Sequence, residues 1–227
     1  MTRPEPGAGE TARRLAALGH TVLCDPMLRI VATGAPLPAG RFDALAFTSL
    51  NGVRALAEHP ERPLLGALPA FAVGTRTAAE ARRLGFSDVT DCAGDVIALG
   101  ARLAALAPGS RVLHAAGAER AGDLGGMLAP RGIAVEVAVL YQSLAADALA
   151  PEVAQALRAG TLDAAVHFSP RTVAALLHGV AAAGIDGPFL GLRQLCLSQA
   201  VAAPLRALGA AVEIATAPNE DALLTLL

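Results

Sequence analysis

Short apolar runs alternate along this chain with alanine- and leucine-rich runs of helical period. The helical runs stop on glycine, at Gly19, Gly85, Gly132, Gly160, Gly184 and Gly209. Glycine just past a helix supplies the left-handed residue that lets the chain turn into the next strand. Strands are expected over 21–25, 43–48, 70–74, 88–91, 111–115, 133–141, 163–168, 194–198 and 211–215. Helices are expected over 10–18, 52–58, 77–84, 96–106, 123–130, 152–158, 172–183, 201–208 and 221–226. Strand, helix, glycine, strand is the grammar of an α/β fold built on parallel sheets.

A weak internal repeat divides the pattern. Phe47-Thr48-Ser49-Leu50-Asn51-Gly52-Val53 resembles His167-Phe168-Ser169-Pro170-Arg171-Thr172-Val173, and Val73-Gly74-Thr75 resembles Leu197-Ser198-Gln199. A third pair joins Leu15 and Gly19-His20-Thr21-Val22 to Leu128 and Gly132-Ile133-Ala134-Val135. Three pairs in the same order, at nearly one offset, imply two similar α/β lobes with a cleft between them, the usual place for a ligand. The run 29–40 is rich in Pro and Gly and reads as a linker; 139–145 reads as a second crossing.

Composition removes several function classes. All 18 basic residues are arginine, so a P-loop lysine, a Schiff-base lysine and a pyridoxal-phosphate anchor are impossible. Net charge is −2, which gives no basic field for nucleic acid or an anionic membrane. Cys24, Cys92 and Cys196 are far apart in sequence and form no zinc signature, so no metal is expected, and sparse unpaired cysteine suits a reducing cytoplasm. The N-terminus has no apolar signal-peptide core, and the longest weakly polar stretch is too short to span a bilayer.

Few motifs point to chemistry. Gly7-Ala8-Gly9-Glu10-Thr11-Ala12 fits a dinucleotide fingerprint, but only six residues, two of them proline, precede it where a strand is required. A loop opening a helix is the simpler reading. Thr48, Ser49 and Asn51 lie where a strand hands over to a helix, and Ser169, Arg171 and Thr172 hold the matching place in the second half. Helix capping is one account of them; the other is a cleft at the carboxyl ends of strands, which the repetition in both halves favours. Arg3, Arg29, Arg76 and Arg171 are either solvated surface residues or carboxylate ligands. Tyr141, the one tyrosine, ends a strand near the second crossing and is either a proton donor or a packing residue. The five histidines form no pair or triad pattern, and a packing role is expected for His167.

Taken in order, a set of short matches resembles the uroporphyrinogen-III synthase family of tetrapyrrole biosynthesis. They are Thr2-Arg3-Pro4 with Gly7, Leu18-Gly19-His20, Pro26 through Ile30, Phe47-Thr48-Ser49 with Asn51-Gly52-Val53, and Ala72-Val73-Gly74 with Thr77-Ala78. Gly94-Asp95, Val139-Leu140-Tyr141, Phe168-Ser169-Pro170 with Arg171, and Ser198 with Val201-Ala202 complete the set. The resemblance implies two α/β lobes joined by a two-stranded linker: 1–32 plus 143–227, and 36–138. It implies cyclisation of hydroxymethylbilane, a linear tetrapyrrole, to uroporphyrinogen III with loss of water and inversion of the last pyrrole ring. It implies no cofactor, no nucleic-acid or membrane partner, and a cytoplasmic monomer. Tyr141 takes the place of the family's proposed acid. Arg3, Thr48, Ser49, Asn51, Ser169, Arg171 and Ser198 become substrate-binding candidates. Two departures stand out: Met1-Thr2-Arg3 stands where the family usually has a short apolar first strand, so either the given start is late or that lobe lacks a central strand, which would expose its sheet; and Ser198-Gln199 replaces the usual glycine- or serine-proline turn. A non-catalytic two-lobed binding module and a nucleotide-dependent enzyme are the rival readings.

Overall fold

The structure, a computed structural model, describes residues 1–5, 7–120 and 122–227. In chain order the elements are α1 (Gly7–Ala17), β1 (Leu28–Ala32), β2 (Ala44–Phe47), α2 (Leu50–Ala57), β3 (Ala70–Ala72), α3 (Thr75–Arg83), β4 (Val89–Asp91) and α4 (Val96–Leu103). They continue with β5 (Arg111–Gly117), α5 (Leu124–Leu128), β6 (Ala134–Ala145), α6 (Pro151–Ala159), β7 (Ala164–His167), α7 (Pro170–Ala182), α8 (Asp186–Leu190), β8 (Arg193–Cys196), α9 (Gln199–Ala207), β9 (Val212–Ile214) and α10 (Glu220–Leu224). The α/β expectation holds, and the six glycines expected to stop helices all take positive φ.

The chain divides into two compact units, Ile30–Ser143 and Met1–Arg29 with Leu144–Leu227. The first carries a sheet ordered β1-β6-β5-β2-β3-β4. From β6 to β4 every pairing is parallel. Because strand side chains alternate between faces, each strand feeds two cores. Leu45, Phe47, Leu113, Ala115 and Ala138 pack under Val53 and Leu56 of α2 and Ala78 and Ala81 of α3. Ala44, Ala46 and Val112 pack on the opposite face against Leu99 and Leu103 of α4 and Leu124 and Leu128 of α5. A parallel sheet covered on both faces needs apolar residues at consecutive positions, which the run Ala44-Leu45-Ala46-Phe47, buried throughout, supplies.

β1 falls mostly inside the stretch expected to be a linker. Its β-branched Ile30-Val31 lies beside β6, and the bonds Thr33 N to Leu140 O (3.0 Å) and Ala146 N to Met27 O (3.0 Å) make this pairing antiparallel. The chain passes from one unit to the other inside these two strands.

The second unit holds the parallel sheet β7-β8-β9. One face packs on Val153, Leu157, Val173, Leu176, Val180 and Phe189. The expected strand at 21–25 is not formed. Its backbone is met by Met1 and Thr2: the Met1 amino group donates to Leu23 O (2.7 Å), Asp25 N donates to Met1 O (2.9 Å) and Met27 N donates to Thr2 O (3.0 Å). Across from it, among the described residues, β7 is bonded on its β8 side only. An apolar slot of about 490 Å³ lies between them, lined by Thr21–Leu23, Ala164–Val166, Leu157 and Phe189. An extended segment becomes a strand only when a neighbour takes up its backbone groups, and Thr21 and Val22 have none among the described residues. Among the described residues, no helix is long and apolar enough to cross a membrane.

Candidate active site

In the larger sheet β2 is the branch point. The chain steps outward from β2 to β3 and β4, then returns past the other face to β5 and β6 on the far side of β2. In open α/β sheets the carboxyl ends flanking such a reversal leave a crevice in which ligands bind. Here those ends carry Thr48 and Ser49 after β2 and Gly117 at the end of β5.

Ser49 is extended (φ −155°, ψ 155°) and caps α2, its Oγ accepting from Gly52 N at 3.0 Å. The same Oγ lies 2.8 Å from the phenol oxygen of Tyr141. Gly52 lets helix and strand approach this closely, since a Cβ there would sit 2.4 Å from the carbonyl oxygen of Ala115.

A bulge aims Tyr141 at Ser49. Ala115 pairs with Ala138 and Ala116 with Val139, but Gly117 pairs with Tyr141, so Leu140 is an extra residue. In regular alternation residue 141 would share the face of Val139. The insertion moves it onto the face of Gly117 and Ala115, the side on which α2 packs. Gly117 leaves room for the ring, because a Cβ there would lie 2.6 Å from Tyr141 Cζ.

Thr48 is held by a histidine that belongs to no sequence motif. Its Oγ1 lies 2.9 Å from His114 Nε2. His114 is 4% exposed, and burial, with the charge of Arg120 second, lowers its pKa to about 4. The ring is therefore neutral at pH 7. The available signal was a lone polar residue in the apolar run Val112-Leu113-His114-Ala115-Ala116. Asn51 is the second residue of α2 and half-buried. Thr48, Ser49, Asn51 and Tyr141 are thus gathered within one unit. Just past β3, Gly74 caps α3, and exposed Arg76 in the first turn of that helix makes no ion pair among the described residues.

Ser169, Arg171 and Ser198 lie in the other unit, at the ends of neighbouring strands β7 and β8. Ser169 caps α7 as Ser49 caps α2, with φ −149°, ψ 148°; its Oγ accepts from Thr172 N at 3.1 Å and also bonds the Thr172 hydroxyl. Arg171 is half-buried in the first turn of that helix. Ser198 holds the capping position of α9 with the backbone of Gly74, but its hydroxyl makes no capping bond and is not used up by the helix. The repeat seen in the sequence is therefore a repeat of backbone turns.

Arg3 is engaged elsewhere. Its guanidinium bonds Glu220 and Thr11, both at 3.0 Å, and lies 4.3 Å from the centre of the Phe168 ring. His167 packs as expected: its Nε2 lies 2.7 Å from Gln194 Oε1, and burial lowers its pKa to about 4. The glycines 7 and 9 belong to α1, and among the described residues no strand precedes them. Gly7 is explained by Arg3, whose guanidinium would lie 2.7 Å from a Cβ there. Among the described residues, no group of three His, Cys, Asp or Glu side chains is placed to hold a metal ion.

These features define a parallel α/β protein with hydroxyls, a phenol and free helix starts at the carboxyl ends of its strands, and a sheet reversal at the crevice. A model of the family described as HEM4, uroporphyrinogen-III synthase HemD, matches residues 9–225. The chain belongs to the uroporphyrinogen-III synthase family, lyase-type enzymes that act on a tetrapyrrole in haem biosynthesis. Among solved structures it is similar to uroporphyrinogen-III synthetase from Helicobacter pylori, with 21% identity and a TM-score of 0.65 over 92% of this chain and 94% of that one. It also matches a mutant uroporphyrinogen III synthase from Thermus thermophilus, with 21% identity and a TM-score of 0.48 over 100% of this chain and 96% of that one. The first of these likenesses bears on the fold. No curated protein matches the chain significantly.

Proposed function

We propose that the protein is a hydro-lyase that cyclises hydroxymethylbilane to uroporphyrinogen III with Tyr141 as its proton donor. The observation that carries this reading is the 2.8 Å contact between Tyr141 and Ser49 at the sheet reversal. Ser49 Oγ already accepts from Gly52 N. When its own proton goes to the phenol oxygen, the phenol proton is free to leave. That proton goes to the hydroxyl of the bilane as the C–O bond breaks, water departs, and an electrophilic azafulvene remains. The far pyrrole attacks through its substituted carbon, forming a spiro intermediate that fragments and recloses with that ring inverted. The proton lost as the last pyrrole regains aromaticity balances the one that Tyr141 gave.

Such chemistry needs orientation more than a nucleophile. Acetate and propionate groups on each ring call for donors, and the first turns of helices supply free N–H groups. Thr48, Asn51, Arg76 and Ser49 through its backbone N–H fill this role in one unit, and Ser169, Arg171 and Ser198 in the other. In this reading the two units are the family's two lobes, with β1 and β6 as their connecting strands. A cytoplasmic, monomeric enzyme is part of the proposal; Cys24, Cys92 and Cys196 are all free thiols, which suits a reducing compartment.

The test supplies fresh hydroxymethylbilane, oxidises the products and separates the III and I isomers. Type III in excess of the uncatalysed background is expected. Tyr141→Phe should lower turnover on the order of 10²-fold. An unchanged rate in that variant removes Tyr141 from the mechanism.

A further inference from the structure

We propose that His114 is a positioning residue, whose Nε2–H donates to Thr48 Oγ1 and so turns the Thr48 hydroxyl proton toward a substrate carboxylate. This rests on the reading above, in which strand-end donors hold the acid groups of the tetrapyrrole.

The imidazole sits deep in the sheet. Val112, Leu113, Ala115 and Ala116 around it on β5 are all buried. Its partners across the sheet are Ala46 on β2 and Val137 on β6. An imidazole in such a place is costly unless a partner satisfies it, and Thr48 Oγ1 at 2.9 Å does so for Nε2. The contact follows from strand parity. His114 lies opposite Ala46, Thr48 follows Ala46 by two residues, and all three face the same side of the sheet. Alanine at position 46 leaves the space through which the ring reaches forward to the strand end.

The hydroxyl of Thr48 has one proton and two lone pairs. A neutral ring carries its proton on Nε2 or on Nδ1, so the contact has two forms. With Nδ1–H, Thr48 donates to the ring and offers only lone pairs to a ligand. With Nε2–H, the ring occupies a lone pair and the threonine proton points away. A carboxylate accepts and cannot donate, so only the second form can bind it. The depressed basicity of His114 fits this arrangement, because a doubly protonated ring is not required and one fixed neutral dipole serves across the neutral range.

The test is a cycle on the full chain with hydroxymethylbilane. His114→Phe should raise KM about tenfold with kcat within about twofold, the value of one hydrogen bond to a charged group. Thr48→Val should do the same, and adding His114→Phe to it should change nothing further. His114→Gln, which restores an N–H donor, should recover most of the loss. Histidine-labelled wild-type protein should show the Nε2–H tautomer of His114 by ¹⁵N NMR, a readout that does not require any variant to fold. The Nδ1–H tautomer, an unchanged KM in His114→Phe, or an equal effect of that change with and without Thr48 overturns the proposal. Wild-type protein that yields only the type I isomer overturns the functional reading instead.

Discussion

Gly117→Ala would place a methyl group 2.6 Å from Cζ, 2.7 Å from Cε2 and 2.9 Å from the oxygen of Tyr141. Carbon atoms in contact settle at ~3.5–4.0 Å, so the ring has to retreat by about 1 Å. Ser49 cannot follow, because its Oγ is tied to Gly52 N and Gly52 is pressed against the Ala115 carbonyl. The 2.8 Å contact between Ser49 and Tyr141 therefore opens to roughly 3.7 Å, beyond hydrogen-bonding distance. Overpacking costs about 1–3 kcal/mol, and half-buried Tyr141 can swing outward, which places this change near ~1 kcal/mol. The loss in turnover should be larger, on the order of 10²-fold for a 1 Å displacement of a reacting group. Initial rates with isomer analysis measure the loss in turnover, and thermal unfolding measures the loss in stability. The double variant Gly117→Ala, Tyr141→Phe should be no slower than Tyr141→Phe alone, since both changes act on one hydroxyl. Full activity in a folded Gly117→Ala protein would refute the reasoning, because the contact it breaks would then be dispensable.

Gly52→Ala drives a Cβ to 2.4 Å from backbone rather than a movable side chain, and should cost about 2 kcal/mol or more in chemical denaturation, whereas Gly187→Ala in α8 meets nothing within 4 Å and should be neutral or slightly stabilising. His114 and His167, each held near 4, remain neutral in the fold while an unfolded chain protonates them near 6.5, so stability should fall as pH drops from about 6.5 to 4; a melting temperature that stays flat over that window would contradict both burials. Glu80 is held at about 2 by Arg83 and Arg54, against the effect of its own burial, so its stabilising share is complete above 4.5 and lost as pH falls through 2. Solvent around the exposed Arg83 reduces this share to on the order of 1–2 kcal/mol, which Glu80→Gln should remove at pH 7 and leave unchanged near pH 2.

The alternation, the glycine stops and the serine turns were legible because each is local. Ser49 and Ser169 cap their helices by bonds to a residue three positions on, and Gly132 or Gly160 ends a helical turn by its own φ. A reader of the chain sees both partners of such an interaction within one turn. The class of fold follows, as does the placing of Thr48, Ser49, Asn51 and Ser169 at strand-to-helix turns. What the turns do is not local. Thr48 meets His114 across 66 residues and Ser49 meets Tyr141 across 92, and both contacts depend on β5 returning to the side of β2 away from β3. Periodicity alone leaves that return undetermined. The single extra residue at Leu140 reverses which face Tyr141 occupies, yet leaves no mark on the apolar pattern of Val137-Ala138-Val139-Leu140. Residues 21–25 have the composition of a strand and are not one, whereas residues 28–32 lie partly in a Pro- and Gly-rich stretch and are, because strand formation belongs to a pair of segments and only the folded chain supplies the second.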